Sequence, residues 1–110
     1  MPYIDINVNS RITEEKEVAL KAALGEIITE IPGKTEGSLM IQFRDNCRLW
    51  HSGENGCPIA LINVMLLGSA PKDAYKNFAD RVIDLFREEL GVDGHHIYVK
   101  FEEVPNWFWG

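Results

Sequence analysis

The sequence predicts an α+β fold, an α/β sandwich in which duplicated β-α-β units form a four-stranded mixed sheet with both helices on one face. Segments 2–8 and 58–64, which begin 56 positions apart, share the pattern Pro-x-x-x-Ile-Asn-Val. Segments 39–43 and 97–101, 58 positions apart, form a second matching pair. One amphipathic helix lies between the members of each β-α-β unit. Two matches in the same order at nearly the same offset indicate an internal duplication.

Each predicted helix has recognisable ends. The first begins after the N-cap Thr13 and ends at Pro32-Gly33, whereas the second begins near Pro71, behind Ser69 or Ala70, and stops at Gly91. Apolar residues recur at helical spacing in both segments and predict the core-facing stripes. These stripes are Leu20, Leu24, Ile27, Ile28 and Ile31, and Tyr75, Phe78, Ala79, Val82, Leu85, Phe86 and Leu90.

Four long strands and two short edge strands are predicted around these helices. The predicted long strands are 2–8, 39–44, 58–67 and 96–101, and the short ones lie near 47–51 and 104–109. A strand, a helix and a parallel strand form a right-handed crossover, and two such units side by side give the mixed sheet.

The sheet surface away from the helices also needs a cover. Segments 39–41 and 59–62 are apolar at consecutive positions, which predicts burial on both faces of the sheet. Because large exposed apolar patches are rare on monomers, self-association is expected to cover the second face.

Composition limits the function classes. The chain has 110 residues, is 45% hydrophobic and 25% charged, and fits a single domain, 1–110, with pseudo-repeats at about 2–50 and 58–109. A net charge of −6 argues against a nucleic-acid partner. No apolar run approaches the roughly 20 residues that span a bilayer, and the N-terminus lacks a secretory pattern. We therefore expect no membrane partner, a cytoplasmic location and reduced Cys47 and Cys57.

Pro2 follows Met1 directly and is the first candidate for chemistry. Removal of Met1, which the small second residue permits, would leave a free secondary amine. An α-amino group has a pKa of roughly 7.7–8.0, and partial burial lowers that pKa because it disfavours the charged form. Pro2 is therefore a candidate general base near neutral pH. A structural alternative is that Pro2 only begins an edge strand.

Several features together resemble the tautomerase superfamily, in its branch containing macrophage migration inhibitory factor and bacterial phenylpyruvate tautomerases. They are the Met-Pro start, the doubled halves, the Gly33-Lys34 step, strand 97–99 and the tail 104–110. The resemblance covers essentially the whole chain. It implies a tautomerase/MIF-like fold and a homotrimer in which each active site lies where two subunits meet, an arrangement that would cover the second sheet face.

The resemblance assigns roles on one subunit. Pro2 would move a proton between carbon and an enol oxygen, and Lys34 would bind the substrate carboxylate. Lys34 is equally explained as a solvated charge at a helix end. A main-chain N–H near Met65 and Leu66 would also contact the carboxylate, with Leu66 preferred and a shift of one residue left open.

Other expected contacts come from the neighbouring subunit and the tail. Tyr98 and Lys100 would come from the neighbour; Lys100 replaces the asparagine usual in animal relatives and could stabilise an enolate oxygen. Trp107 and Trp109, with Phe108 between them, would wall an aryl pocket. The alternative for these aromatic residues is packing at the trimer interface.

The implied activity is keto-enol tautomerisation of phenylpyruvate-like 2-keto acids by a cofactor-independent isomerase. One alternative is a hydratase or dehalogenase, in which a protonated Pro2 activates water beside an acidic partner that the sequence does not identify. Another is a cytokine-like protein-binding module with a vestigial pocket.

Some residues depart from patterns seen in relatives. Segment 57–60 holds one thiol, so the Cys-x-x-Cys pattern of the animal cytokine is absent and disulfide exchange is unsupported. Arg11 resembles a substrate-binding arginine of half-length relatives such as 4-oxalocrotonate tautomerase, but is also explained as a loop charge. His51, His95 and His96 lack the company of other ligands, and no metal is expected.

Overall fold

The computed structural model describes all 110 residues and contains four strands and two α-helices. In chain order these are β1 Pro2–Val8, α1 Glu14–Ile27, β2 Met40–Arg44, β3 Ala60–Leu67, α2 Lys72–Leu90 and β4 Ile97–Val104. Short 3₁₀ turns occupy Ile28–Glu30, Glu36–Ser38 and Gly94–His96. The predicted four-stranded sheet with two helices is confirmed. Neither helix has the length and hydropathy required for a membrane span.

The strands form one mixed sheet in the order β2-β1-β3-β4. Strand β1 is parallel to β2 and β3 is parallel to β4, whereas β1 and β3 are antiparallel. Each parallel pair is therefore one β-α-β unit, and the two units meet at the antiparallel β1–β3 pair. In this register Pro2 lies opposite Leu66, and Leu66 lies opposite Glu103.

The helix ends form as the sequence predicts. The Thr13 side chain accepts a hydrogen bond from the Lys16 N–H at 3.2 Å and caps α1. Gly91 ends α2 in the left-handed conformation at φ 67°, and its N–H donates to Arg87 O at 3.0 Å. Helix α1 stops at Ile27 and continues as a 3₁₀ turn before Pro32.

Both helices pack on one face of the sheet. Alternate residues of β1 and β3 are buried there, as the period of two in a strand requires. They meet the stripes of α1 and α2 in a single core cluster. Its fully buried members include Ile4, Ile6, Val8, Ile62, Val64, Leu66, Leu20, Leu24, Phe78, Val82 and Phe86.

The opposite face is partly exposed and carries both polar and apolar residues. Asp5 accepts hydrogen bonds there from Asn7 Nδ2 at 3.2 Å, Asn63 Nδ2 at 3.1 Å and Arg44 Nε at 3.0 Å. In the single chain the residues of β1 and β3 on this face are only partly buried, so its cover by self-association stays a prediction.

The two short edge strands are absent from the isolated chain. Within 47–51 only His51 forms a bridge, with Glu54 across a turn, and the one backbone contact with β1 is from the Cys47 N–H to Val8 O at 2.9 Å. Strand β4 extends to Val104, and the tail after it has no pairing partner because β3 ends at Leu67. Pro105 also lacks the N–H that a ladder needs.

Candidate active site

A cavity of about 730 Å³ lies at the end of the sheet where β1 and β2 begin and β3 ends. Pro2 is buried as the first residue of β1, a strand position that tolerates a missing N–H. The cavity wall is mainly apolar. It consists of Met1, Pro2, Tyr3, Ser38, Met40, Trp107, Phe108 and Trp109.

Lys34 is held close to the N-terminus by backbone contacts. It follows Gly33, whose φ of 79° turns the chain back after α1, and its N–H donates to Ile31 O at 3.1 Å. Lys34 Nζ donates to Leu67 O at 3.0 Å, and the Leu67 N–H donates to Met1 O at 3.3 Å. The lysine ammonium, the end of β3 and the N-terminal residue therefore form one connected group.

The N-terminal amine has a lowered pKa in this group. Burial lowers the pKa of the Met1 amine most, followed by a hydrogen bond from the Lys34 side chain and by the positive charge of Lys34. A lower pKa increases the neutral, proton-accepting fraction of an amine near pH 7. Removal of Met1 would place the amine on Pro2, which is more deeply buried than Met1 at the same end of the sheet.

The tail after β4 forms the aromatic wall. Trp107 is half-buried, whereas Phe108 and Trp109 are 87% and 73% exposed. Met40 is also exposed and lines the same cavity. The wall therefore presents aromatic surface to solvent at the cavity mouth and suits a flat apolar group.

Met65 and Leu66 lie beside Pro2 through the β1–β3 ladder but do not line the cavity. Leu66 is fully buried opposite Pro2, and Met65 faces the other side opposite Tyr3. The N–H that reaches the N-terminal residue belongs to Leu67. The main-chain N–H near Lys34 is therefore that of Leu67, one residue after the preferred Leu66. Its contact with a substrate carboxylate stays a prediction.

Tyr98 and Lys100 lie away from Pro2 of the same chain. Tyr98 is opposite Leu61 on β3, five positions from Leu66, which corresponds to roughly 17 Å along the sheet. Its hydroxyl contacts His51 Nε2 at 3.2 Å, and Lys100 forms an ion pair with Glu102 at 3.2 Å. A single chain therefore brings Pro2, Lys34, Trp107 and Trp109 together without these two.

Arg11 is exposed in the loop after β1, at the end of that strand opposite Pro2. This position agrees with a loop charge in the single chain. No three His, Cys, Asp or Glu side chains are arranged to hold a metal ion.

Glu103 is in register with Leu66, which is in turn in register with Pro2. Two strand spacings, about 10 Å, separate the backbones of Pro2 and Glu103. The Tyr75 hydroxyl donates to the Glu103 carboxylate at 2.5 Å, and burial followed by this carboxylate raises the pKa of Tyr75 to about 12. Glu103 is therefore engaged by Tyr75 rather than paired with the proline.

Sequence reasoning missed Tyr3, Ser38 and Met40 as cavity residues. Parallel strands begin at the same end of a sheet, and Tyr3 is opposite Met40 in the β1–β2 ladder. The predicted β-α-β topology therefore contained the signal for Met40, because the first residues of its two strands must meet. Ser38 belongs to an irregular 3₁₀ turn, for which strand periodicity offers no signal.

Comparison with known proteins identifies relatives of this architecture. The family model for macrophage migration inhibitory factor (MIF) matches residues 1–110. Leishmania major MIF2 has a similar crystal structure, with 27% identity, a TM-score of 0.91, and coverage of 99% of this chain and 93% of that chain.

Two further solved structures share the fold. The MIF-like protein of Entamoeba histolytica is 24% identical with a TM-score of 0.82, covering 99% of this chain and 95% of its own. The MIF of Toxoplasma gondii is 20% identical with a TM-score of 0.89, covering 98% and 96%. A search of curated proteins found no match. The match of the family model along the entire chain shows that this protein belongs to the macrophage migration inhibitory factor family.

Proposed function

We propose that this protein is a cofactor-independent keto-enol tautomerase of phenylpyruvate-like 2-keto acids, with Pro2 as general base after removal of Met1. The observation that carries the proposal is the N-terminus beside Lys34 at an aromatic cavity, where the pKa of the Met1 amine is lowered and Pro2 lies deeper than Met1. An amine that is neutral near pH 7 can accept a proton and return it within one turnover.

Each part of the substrate has a complementary group. The carboxylate binds Lys34 Nζ and the Leu67 N–H, which already lie together through the Leu67 carbonyl. The aryl ring lies against Trp107 and Trp109, where it buries apolar surface. This orientation brings the three reacting atoms towards the Pro2 nitrogen. They are the enol oxygen and the two carbons of the enol double bond.

Proton transfer then follows from this orientation. The Pro2 nitrogen takes the enol hydroxyl proton as the carbonyl bond forms, and the electrons of the carbon–carbon double bond take that proton at the methylene carbon. No atom or electron enters or leaves, so the reaction needs no cofactor. General base catalysis of this kind contributes typically 10²–10⁴-fold to a rate.

The position of Lys34 favours this chemistry over the hydratase or dehalogenase alternative. Those reactions need a protonated proline, whereas burial and the Lys34 cation lower the pKa of the Met1 amine, and Pro2 is more deeply buried at the same place. The Glu103 carboxylate, which could stabilise a protonated proline, is bound by Tyr75.

We also propose a homotrimer in which Tyr98 and Lys100 of one subunit complete the site of the next. Tyr98 and Trp50 are 61% and 67% exposed at the end of the sheet away from Pro2, so each chain carries exposed aromatic surface at both ends of the sheet. Contact between unlike ends is head-to-tail, and such contacts form a ring when the rotation between neighbouring subunits closes. Sedimentation equilibrium of the purified protein should give three times the chain mass; a stable monomer would contradict this assembly.

An ultraviolet assay of phenylpyruvate enol tests the activity. Processed wild-type protein should accelerate loss of the enol band, and Pro2→Gly should reduce kcat/KM by at least about 100-fold. Lys76→Gln, a change on the exposed face of α2, is the control and should retain the wild-type rate. Equal rates for wild type and Pro2→Gly would contradict the proposal. Specific protein binding without any turnover would support the cytokine-like alternative instead.

A further inference from the structure

A second group of reactive side chains lies at the end of the sheet away from Pro2, where β3 and β4 begin. Cys57 Sγ is 3.5 Å from His96 Nδ1 and 4.0 Å from His96 Nε2. The His51 ring packs edge-on against His96, with ring centroids 5.3 Å apart. An open cleft of about 410 Å³ adjoins this group. Its lining residues are His51, Ser52, Glu54, Gly56, Cys57 and His96.

Both members of the Cys57–His96 pair are held by hydrogen bonds to the backbone. Asn9 Nδ2 donates to Cys57 O at 2.8 Å, and Asn9 Oδ1 accepts from the Ile59 N–H at 2.8 Å. The His96 N–H donates to Asp93 O at 2.8 Å within the 3₁₀ turn before β4. The contact between thiol and imidazole is therefore built between two restrained segments.

The contact between Cys57 and His96 provides a route for proton transfer from the thiol. An imidazole nitrogen in contact with a thiol can accept its proton, and the resulting thiolate is the nucleophilic form of cysteine. The Asp93 carboxylate instead accepts from the His95 N–H at 2.8 Å and lies 3.0 Å from His95 Nδ1, so His96 is the ring that contacts the thiol.

Cys47 provides an internal comparison because it is also partly exposed but has different neighbours. Its Sγ lies 3.4 Å from Arg44 O and 3.9 Å from Asp45 O. A thiol can only donate to these carbonyl oxygens, and a carbonyl oxygen cannot take up the thiol proton as an imidazole nitrogen can. The two cysteines are therefore expected to differ in reactivity for a reason that lies in their hydrogen-bond partners.

We propose that Cys57 is a nucleophilic modification site for small activated alkenes, with His96 as its base. The thiol proton moves to His96, and a sulfur–carbon bond forms at the β-carbon of the alkene as its π bond breaks. The resulting enolate takes the proton back from His96. The net change is addition of S–H across the double bond, which needs no oxidant, reductant or metal.

Limiting N-ethylmaleimide is the probe, used on the native full-length protein near pH 7 with peptide mapping by mass spectrometry. Cys57 should be labelled at least about tenfold faster than Cys47. This comparison is made within one folded wild-type protein and does not depend on any variant. Equal labelling of the two thiols, or fast labelling of Cys57 only after denaturation, would overturn the proposal.

Two histidine variants test the role of the base. His96→Gln should slow Cys57 labelling about tenfold, and its rate should then rise steadily between pH 6 and 8, whereas the wild-type rate should be flatter. His95→Gln is the matched control, since His95 contacts Asp93 and no thiol. His51 and Glu54 also face the cleft, so His51→Gln is included to separate their influence on the pH profile. An unchanged rate and pH profile in a folded His96→Gln variant would show that His96 is not the base.

Discussion

The main-chain N–H of Leu67 donates to the carbonyl oxygen of Met1 at 3.3 Å, while Leu67 O accepts from Lys34 Nζ at 3.0 Å. Met1 therefore occupies a hydrogen-bond donor adjacent to the cation proposed to bind the substrate carboxylate. Removal of Met1 would have two effects at once. It would convert the Pro2 nitrogen from an amide to an amine, and it would release the Leu67 N–H for an anionic ligand.

Lys34→Gln should alter both affinity and pH dependence. Loss of a charge-assisted contact worth about 1.5–3 kcal/mol should lower kcat/KM roughly 10–100-fold. Because burial and then Lys34 lower the pKa of the Met1 amine, we expect Lys34 to act in the same way on the Pro2 amine of the processed protein, so its removal should raise that pKa. Activity requires the neutral amine, so the acidic limb of the profile of kcat/KM against pH should move to higher pH.

The measurement is a pH series of phenylpyruvate tautomerisation by both proteins. Lys76→Gln again serves as the control, because Lys76 pairs with Asp80 on α2. A Lys34→Gln profile that keeps its acidic midpoint, or moves it to lower pH, would exclude the proposed electrostatic role.

Trp109→Ala should discriminate between substrates. The ring lines the cavity mouth, and an aromatic pair contributes about 0.5–1.5 kcal/mol beyond the area it buries. We expect KM for phenylpyruvate to rise roughly 2–10-fold, with little change for an aliphatic 2-keto acid of similar length. Parallel steady-state assays with the two acids provide the comparison; an equal effect on both would assign Trp109 to assembly rather than to the aryl ring.

Co-expression of two inactive variants tests the shared site. Pro2→Gly retains Tyr98, and Tyr98→Ala retains Pro2, so a mixed trimer contains some sites with both residues intact. Random assembly should restore about a quarter of the wild-type activity per site. Mixing the separately purified proteins without subunit exchange is the control. Failure of co-assembled chains to regain activity would place each site within one chain.

Asp5 should contribute to stability in a pH-dependent manner. Burial raises its pKa, but hydrogen bonds from Asn63, Asn7 and Arg44 outweigh burial and leave the pKa below its usual value. Stability from this group is therefore present above the unfolded pKa of about 3.9 and is lost as pH falls through the lower folded pKa.

The free energy of unfolding of Asp5→Asn should consequently fall less than that of wild type between pH 5 and the acidic end of the folded range. Chemical denaturation at a series of pH values measures this difference. Asp80→Asn, which removes an exposed carboxylate on α2, is the matched control and should follow the wild-type slope. Parallel acid slopes for wild type and Asp5→Asn would refute the assignment.

The elements of the fold were predictable because their signals are local. Thr13 marks a helix start through its side-chain cap and Gly91 a helix end through its left-handed backbone, and the alternation of apolar and polar residues along β1 indicates which of them are buried. The two edge strands were not predictable in the same way, because a strand needs a partner. Segment 47–51 has strand-like residues, but its backbone contact with β1 does not extend beyond Cys47 into a ladder.

The candidate site was only partly predictable. Pro2 and the aromatic tail could be singled out from residue type and position, and the resemblance suggested Lys34. The Cys57–His96 contact could not be predicted, because it joins residues 39 positions apart through a loop and a 3₁₀ turn. Periodicity carries no information about such irregular segments.

The most direct test compares phenylpyruvate tautomerisation by two forms of the same chain, one processed and one with Met1 retained by inhibition of methionine aminopeptidase. Mass spectrometry of the intact protein defines each N-terminus, and thermal unfolding verifies that both forms are folded. The account predicts a kcat/KM at least about 100-fold lower with Met1 retained, since an amide nitrogen cannot act as the base. Equal kcat/KM values would contradict the central claim that the free Pro2 amine performs the proton transfer.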